Sequence, residues 1–338
     1  MTDRHETILA FLDRAGWADA ARVPLAGDAS TRRYERLTFR AKRAVLMDAR
    51  PERGENTERF AQMGRWLIAH GYSAPMLIAE DHVSGLLLLE DLGDALVARL
   101  LSADPAYEDE IYTVATDLLS DLHRASVPGF VDPLDGPALA ELTKLTPEWY
   151  LRALDLPTNA AAESLPSIVL SLFDAVSDGR RALALRDFHA ENLIWLPQRE
   201  GLARLGLLDF QDAVVSHPAY DLVSLLQDAR RDVSPQRERQ MISRYVATNA
   251  LDGKSFAAIY ALLGAQRALR IIGVFARLAR RDGRMRYLDY LPRVWGTLER
   301  NLKHPALFEL SRVIGEGLPP PTPDRIARMK ELACTRAP

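Results

Sequence analysis

The stretch Leu185-Arg186-Asp187-Phe188-His189-Ala190-Glu191-Asn192, followed further along the chain by Leu207-Leu208-Asp209-Phe210, decides how this sequence is interpreted. The apolar runs Leu193–Leu196 and Leu205–Asp209 are each typical of a short buried strand. Asp187 and Asn192 therefore lie in a loop before the first strand, and Asp209 closes the second. The sequence predicts three oxygen-bearing side chains at the ends of two short strands.

These three side chains suit phosphoryl transfer, which needs a carboxylate near the acceptor hydroxyl and metal ions that neutralise the phosphates. Asp187 can accept the hydroxyl proton, while Asn192 and Asp209 offer the hard oxygen ligands that Mg²⁺ prefers. An Asp-x-x-x-x-Asn pair alone is common in surface loops, so only its combination with a strand-terminal Asp is specific. In order and spacing the combination is similar to the catalytic loop and metal-binding Asp of kinases.

The segment Gly27-Asp28-Ala29-Ser30-Thr31-Arg32-Arg33-Tyr34 precedes two predicted strands and can direct backbone N–H groups and hydroxyls at phosphates. A plain polar turn is the alternative, but the position before paired strands favours a phosphate loop. Its candidate nucleotide-binding residues are Ser30, Thr31, Arg32 and Arg33. Glu90 and Leu92 occupy the position where kinases place the hinge, whose backbone would pair with adenine.

One departure from the kinase pattern concerns the third strand, which usually carries a phosphate-binding lysine. The run Ala44-Val45-Leu46-Met47-Asp48 contains none, and Lys42 has the opposite strand parity to Met47, so it should face away. We predict that an arginine of the phosphate loop neutralises the phosphates instead. Arg32 is favoured over Arg33, because Arg33 already begins the following strand.

Strands alternate with one helix in the first third of the chain, and helical periodicity dominates after Gly93. We predict an α+β protein with a bilobal protein-kinase-like fold, divided into a β-rich nucleotide lobe at 1–92 and a mostly helical catalytic lobe at 93–338. Helices are expected over Glu55–His70, Tyr107–His123, Pro137–Leu154 and Ser255–Arg280, among others.

Composition excludes several other classes of protein. The 338 residues carry 43 basic and 46 acidic side chains, a formal net charge of −3, which does not favour a nucleic-acid partner. The single cysteine cannot form an internal disulfide. The polar start does not look like a signal peptide, and arginines interrupt Ile259–Arg280, the nearest approach to a membrane span. We expect a cytoplasmic monomer without a membrane partner.

The chain resembles the aminoglycoside phosphotransferase/choline kinase superfamily, and within it the anomeric N-acetylmuramate/N-acetylglucosamine kinases of bacterial cell-wall recycling. The resemblance covers nearly the whole chain, and further motifs carry it: Asp28-Ala29-Ser30, Val45-Leu46-Met47-Asp48-Ala49, Leu86-Leu87-Leu88-Leu89-Glu90-Asp91-Leu92-Gly93, Pro147-Glu148-Trp149-Tyr150-Leu151, Leu208-Asp209-Phe210-Gln211-Asp212-Ala213, Ala219-Tyr220-Asp221-Leu222-Val223-Ser224-Leu225-Leu226 and Gly273-Val274-Phe275-Ala276-Arg277-Leu278. It implies ATP as co-substrate, Mg²⁺, and an amino sugar phosphorylated at its 1-hydroxyl. It also implies that the absence of a lysine from the third strand is a feature of the subfamily.

The same resemblance implies roles for residues outside the catalytic triplet. Asp221 would brace the catalytic loop and His189 would support it structurally. Candidates for holding the sugar are Glu148, Trp149, Gln211, Asp212 and Arg267, with Arg270 one helical turn from Arg267. The two arginines could pair with the lactyl carboxylate of N-acetylmuramate, or they could simply form a solvated face.

Two other functions remain open from the sequence. One keeps the fold but changes the acceptor to an amine-bearing alcohol or an antibiotic. A cationic acceptor would call for an acidic pocket, and residues 140–300 contain no conspicuous run of acidic residues. The other is a nucleotide-binding pseudokinase that acts as a scaffold. The missing lysine favours the pseudokinase, and the intact Asp187, Asn192 and Asp209 weigh against it.

Overall fold

The computed structural model describes residues 4–25 and 32–334. The α-helices are α1 (Arg4–Arg14), α2 (Thr57–Ala69), α3 (Val97–Ala103), α4 (Glu108–Leu122), α5 (Gly136–Glu141), α6 (Ala160–Glu163), α7 (Leu165–Val176), α8 (Ala219–Leu226), α9 (Pro235–Thr248), α10 (Gly253–Asp282), α11 (Leu291–Leu302), α12 (Phe308–Gly317) and α13 (Pro323–Cys334). The strands are β1 (Ala21–Leu25), β2 (Arg33–Phe39), β3 (Lys42–Asp48), β4 (Leu77–Asp81), β5 (Leu86–Glu90), β6 (Asp132–Pro133), β7 (Ala182–Ala184), β8 (Leu193–Trp195), β9 (Leu205–Leu207) and β10 (Val214–Ser216).

Two compact units share these elements. The first comprises residues 4–115 together with 191–212, and the second comprises 116–190 together with 213–334. The β8–β9 hairpin therefore belongs with the N-terminal sheet, although it follows Asp187 in sequence. Our division at residue 92 separates the chain by expected role, and it stays a prediction.

The first unit is built on an antiparallel five-stranded sheet in the order β1-β2-β3-β5-β4. Leu86 to Leu89 of β5 are all buried, so this strand is covered on both faces. Helix α1 packs its apolar side chains Ile8, Phe11 and Leu12 into one core cluster with Leu46 of β3. Phe11 and Leu12 follow Ile8 by three and four positions, so the three side chains lie on one face of the helix.

The β8–β9 hairpin is antiparallel, with Leu193 opposite Leu207. Hydrogen bonds attach it to the first unit: the Leu207 amide donates to the Ser73 carbonyl at 2.8 Å, and the Trp195 amide donates to the Ala95 carbonyl at 2.8 Å. These bonds fix the hairpin whose ends carry Asn192 and Asp209.

The second unit is organised around α10, which Asp252 caps at its N-terminus and Gly283 ends in the left-handed conformation, with φ of 67°. By length and composition α10 is the one helix among the described residues that could cross a membrane, but 78% of its apolar window is buried inside the protein. That burial is typical of the central helix of a folded core. A small sheet, β6-β10-β7, lies in the same unit.

One expectation about the helices is wrong. We expected a continuous helix over 137–154, and the chain instead forms α5, a 3₁₀ turn at Leu142–Lys144 and a π-helical turn at Thr146–Leu151. Pro147 has no N–H to donate to a regular helix. In addition, the buried Thr146 hydroxyl donates to the Leu269 carbonyl of α10 at 2.7 Å. Such π turns are frequent at functional sites.

Candidate functional site

The hairpin places two of the predicted site residues at the same end. Asn192 immediately precedes β8 and Asp209 lies two residues beyond β9. Because Leu193 pairs with Leu207 and the Leu208 amide donates to the Asn192 carbonyl at 2.9 Å, the two segments stay side by side past the strands. An amide oxygen and a carboxylate are therefore held on adjacent segments, as a shared cation would require.

Asp209 adopts a backbone conformation that fits its expected role. Its φ is 56°, in the left-handed region that Asp and Asn tolerate better than most residues. Its side chain is 46% exposed, while Phe210 next to it is buried against Phe60, with ring centroids 4.8 Å apart. The tight turn thus presents the carboxylate while the following aromatic ring anchors the backbone.

The donors at this end of the hairpin fit Mg²⁺, since both are hard oxygen ligands. Within 4–25 and 32–334, no group of three or more His, Cys, Asp or Glu side chains could hold a metal by itself. A cation held by Asn192 and Asp209 would therefore need oxygen ligands from a nucleotide or water. That is the usual situation for Mg²⁺, which is bound by few protein groups plus substrate phosphates.

Arg32 lies beside Asp209 in the first unit. Its Nε donates to Glu55 Oε2 at 2.6 Å, and its Nη1 lies 3.4 Å from Asp209 Oδ1. Burial by itself would lower the pKa of Arg32, but Tyr34, Glu55 and Asp209 together raise it above the ordinary value. Arg32 thus carries a fixed positive charge next to the expected metal ligand, whereas Arg33 at the start of β2 is exposed.

Glu55 is a candidate site residue that the sequence analysis did not single out. Its carboxylate orients Arg32 in the same way that an acidic partner orients a phosphate-binding lysine in kinases. The sequence offered a signal, since Glu55 stands just before α2, the helix that follows the third strand. The two remaining candidates of the phosphate loop, Ser30 and Thr31, lie outside the described residues.

The expected hinge residues lie at the end of β5. Glu90 pairs with Arg199 at 2.7 Å, and its amide donates to the Met76 carbonyl at 2.8 Å, so only its carbonyl remains the candidate for adenine. Leu92 packs with Ile194 and Leu196, and the partly exposed Leu208 packs against the same cluster. Leu208, which directly precedes Asp209, is a partly exposed neighbour of this otherwise buried cluster.

Gln211 and Asp212 follow Asp209 in the first unit. Gln211 is buried, and its Nε2 donates to Asp209 Oδ1 at 2.9 Å and to Asp212 Oδ2 at 3.2 Å. We predicted that Gln211 contacts the acceptor, but these bonds turn its amide toward the aspartates. Its position supports a role in orienting Asp209, and Asp212 is the exposed member of the pair.

Asp187 belongs to the second unit and follows a strained residue. Arg186 has a φ of 72°, in the left-handed region, and its amide donates to Asp221 Oδ1 at 2.9 Å. The Arg186 carbonyl accepts from Arg267 Nη1 at 3.0 Å. Strained residues of this kind persist only where their surroundings hold them, and they cluster at functional sites.

The charge of Asp187 is set by its neighbours. Burial alone would raise its pKa, but the positive charges of Arg267 and Arg270 outweigh burial and lower the pKa to about 2, with smaller contributions from His189 and Arg186. Arg267 Nη2 lies 3.5 Å from Asp187 Oδ1. Asp187 is therefore ionised at neutral pH, and its carboxylate can accept a hydrogen bond from a hydroxyl.

Asp221, at the start of α8, holds the backbone before Asp187. It is fully buried and accepts from the amides of Leu185 at 2.5 Å and Arg186 at 2.9 Å. Burial raises its pKa to about 7, although these two hydrogen bonds and Arg267 oppose the rise. The bonds give Asp221 the bracing contacts that the sequence predicted for it.

His189 is buried in the second unit, and its Nε2 lies 3.4 Å from Arg230 Nη1. Burial lowers its pKa, with Asp228 and Asp187 opposing, so the ring is neutral at physiological pH. Its amide donates to the Asp187 carbonyl at 3.2 Å. These contacts support the predicted structural role.

The sugar-binding candidates of the second unit differ in accessibility. Glu148 is exposed and Trp149 is partly buried on the π-helical turn, so both can meet a ligand. Arg267 is 5% exposed and its guanidinium contacts Asp187, the Arg186 carbonyl and the face of Tyr220. That Arg267 binds a substrate carboxylate stays a prediction, and within the protein its guanidinium already has Asp187 and the Arg186 carbonyl as partners.

Comparison with known proteins by sequence shows the family of this chain. Residues 22–260 match the model of the phosphotransferase enzyme family. The N-acetylmuramate/N-acetylglucosamine kinase of Caulobacter vibrioides is 41% identical, covering 91% of this chain and 95% of that protein. The protein of the same name from Pseudomonas aeruginosa is 31% identical, covering 88% and 90%.

Solved structures agree on the fold. A choline/ethanolamine kinase family protein from Mesorhizobium loti superposes with a TM-score of 0.61 at 14% identity, covering 97% of this chain and 99% of that one. A choline kinase from Streptococcus pneumoniae gives 0.59 at 17% identity, covering 90% and 99%. These likenesses confirm the predicted α+β, protein-kinase-like class.

Proposed function

Since the chain belongs to the phosphotransferase enzyme family, we propose that it transfers the γ-phosphoryl group of ATP to the anomeric 1-hydroxyl of N-acetylmuramate or N-acetylglucosamine. The product would be a sugar 1-phosphate, made in the cytoplasm by a monomer during recycling of cell-wall sugars. The observation that carries the proposal is the hairpin that holds Asn192 and Asp209 together, five and twenty-two positions after the ionised Asp187.

Each residue of the proposed site has a separate task. Asp187 would accept the proton of the 1-hydroxyl as the sugar oxygen bonds to the γ-phosphorus and the bond between that phosphorus and the leaving ADP oxygen breaks. Asn192 and Asp209 would hold Mg²⁺, with Gln211 orienting the Asp209 carboxylate. When bound, Mg²⁺ neutralises phosphate charge. Arg32, fixed by Glu55, would add a positive charge toward the phosphates.

The charges around Asp187 support an uncharged or anionic acceptor. Arg186, Arg267 and Arg270 all act on its carboxylate, and their summed charge exceeds that of Asp187 itself. These arginines make the surroundings of Asp187 less favourable to a cationic acceptor such as choline or an aminoglycoside. The proposed amino sugars carry either no charge or one carboxylate.

We expect the purified protein to release ADP from MgATP with N-acetylmuramate and N-acetylglucosamine, but not with choline or kanamycin. Phosphorus and carbon NMR of the product should show phosphate on C1. Phosphate on another carbon would refute the anomeric assignment and leave the sugar acceptor standing. Tight MgATP binding without turnover of any acceptor would instead indicate the pseudokinase.

A further prediction concerns the group that replaces the missing lysine. We expect Arg32→Ala to raise the KM for ATP by about 10- to 100-fold, as the loss of a charge-assisted hydrogen bond would, with little change in the KM for the sugar. Arg33→Ala is the matched control, because Arg33 is adjacent in sequence but exposed at the start of β2. Equal ATP kinetics in the two variants would mean that the phosphates are neutralised elsewhere.

A further inference from the structure

Three arginines of α10, Arg267, Arg270 and Arg277, differ in their burial and in their partners within the protein. Arg267 is buried and engaged by Asp187 and the Arg186 carbonyl. Arg270, one turn later, is only partly buried, and within residues 4–25 and 32–334 no hydrogen bond or ion pair engages its side chain. Arg277 follows seven positions after Arg270, a spacing that returns to the same helix face. Its Nε is buried without a hydrogen-bond partner in that same part of the chain.

The face around Arg270 adjoins the segment that carries the sugar-binding candidates. The Thr146 hydroxyl donates to the Leu269 carbonyl, one residue before Arg270. Three residues after Arg270, a Cβ at Gly273 would overlap the backbone carbonyl of Leu145, so the two backbones touch there. Arg270 thus lies along α10 between two contacts with the chain that leads directly into Glu148 and Trp149.

The positive charge on this face is not neutralised within it. Asp282, the acidic neighbour of Arg277, already forms a two-bond ion pair with Arg281, at 2.7 and 3.0 Å. Burial lowers the pKa of Arg277, and Arg281 and Arg270 lower it further while Asp282 opposes them. A bound anion would offset this repulsion, and a guanidinium is suited to a carboxylate because its donors match both oxygens.

We infer that Arg270 and Arg277 form an anion-recognition face that selects a carboxylate-bearing acceptor sugar over a neutral one. The inference rests on the proposed function and adds the residues that decide between its two sugars. N-acetylmuramate differs from N-acetylglucosamine by an ether-linked lactyl carboxylate. A difference in kcat/KM between the two sugars therefore reports on the recognition of that single charged group. The arginine that the sequence analysis placed first, Arg267, does not take part.

The test compares the two sugars in wild type and in Arg270→Gln and Arg277→Gln. We expect kcat/KM for N-acetylmuramate to fall by about 10- to 100-fold in Arg270→Gln, the size of a lost charge-assisted hydrogen bond, and less in Arg277→Gln. For N-acetylglucosamine the fall should be about tenfold smaller, because that sugar shares only the change in charge around Asp187. Lys254→Gln is the control, since it removes an exposed positive charge from the start of the same helix and should leave the preference unchanged.

Titration calorimetry with each sugar, without ATP, separates this inference from the proposed function. If wild type turns over neither sugar, the proposed function fails, and weaker binding of N-acetylmuramate to Arg270→Gln would still support the face. An equal loss for both sugars would overturn it, because Arg270 would then act only through the charge of Asp187. Unchanged kinetics and binding in both variants would overturn it as well.

Discussion

Asp187→Asn should lower kcat for either sugar by about 10²- to 10⁴-fold, the range that a positioned general base contributes. The replacement keeps the size of the side chain but removes the charge that the surrounding arginines stabilise. Because the pKa of Asp187 is about 2, the wild-type carboxylate is ionised at every pH used for assays. The acidic limb of a rate profile would therefore belong to another group.

The control for this variant is Glu191→Gln, which removes an exposed carboxylate from the same loop. It should keep near-wild-type turnover. Asp187→Asn should still fold and bind ATP, because the Asp221 bonds to the Leu185 and Arg186 amides do not involve the Asp187 side chain. Its unfolding temperature should fall, because the buried Arg267 loses a charged partner. A folded Asp187→Asn protein with wild-type kcat would show that Asp187 is not the base.

The α+β fold and the candidate site could be predicted where the signal is local. Asp187, Asn192 and Asp209 were found because their spacing and the apolar runs between them lie within one short stretch. The strands β2, β3 and β5 and the helix α2 were found for the same reason, since each carries a complete apolar pattern. Lys42 is exposed, but strand parity is not the reason, because Leu46 has the same parity and is buried. Lys42 is exposed because it begins β3.

What the sequence could not predict depends on partners that are distant along the chain. The π-helical turn at Thr146–Leu151 is fixed by Leu269, 123 positions away. Glu55 gains its role only through Arg32, 23 positions earlier, and a salt bridge across that separation has no spacing signature. Short elements such as β6 and β10 were missed because two or three residues carry no periodicity.

Arginine roles were the hardest to assign, because a side chain's burial depends on the whole unit. Arg267 and Arg270 look alike in sequence, one turn apart on the same helix. In the structure Arg267 is buried and contacts Asp187, whereas Arg270 is partly exposed. Only their different burial in the folded unit separates the two arginines.

Removing the charge of Asp209 should abolish the effect of Mg²⁺ on nucleotide binding and reduce turnover by roughly 10³-fold, since a bound metal supplies several kcal/mol of charge stabilisation in such reactions. Asp209→Asn is the more specific test, and Asp209→Ala is the second variant to measure. With φ at 56°, Asn keeps the local backbone, whereas Ala adds about 1–2 kcal/mol of strain. The Asn variant thus isolates the lost charge.

The measurement is ATP affinity by calorimetry with Mg²⁺ and with a chelator, in wild type and in both variants. Wild-type affinity should rise with Mg²⁺, and neither variant should respond. Without metal, Asp209→Asn should bind ATP at least as well as the wild type, because the carboxylate that repels the phosphates is gone. A variant that kept the full response to Mg²⁺ would place the metal elsewhere. Asp209 would then serve only to orient Arg32, whose Nη1 lies 3.4 Å from it.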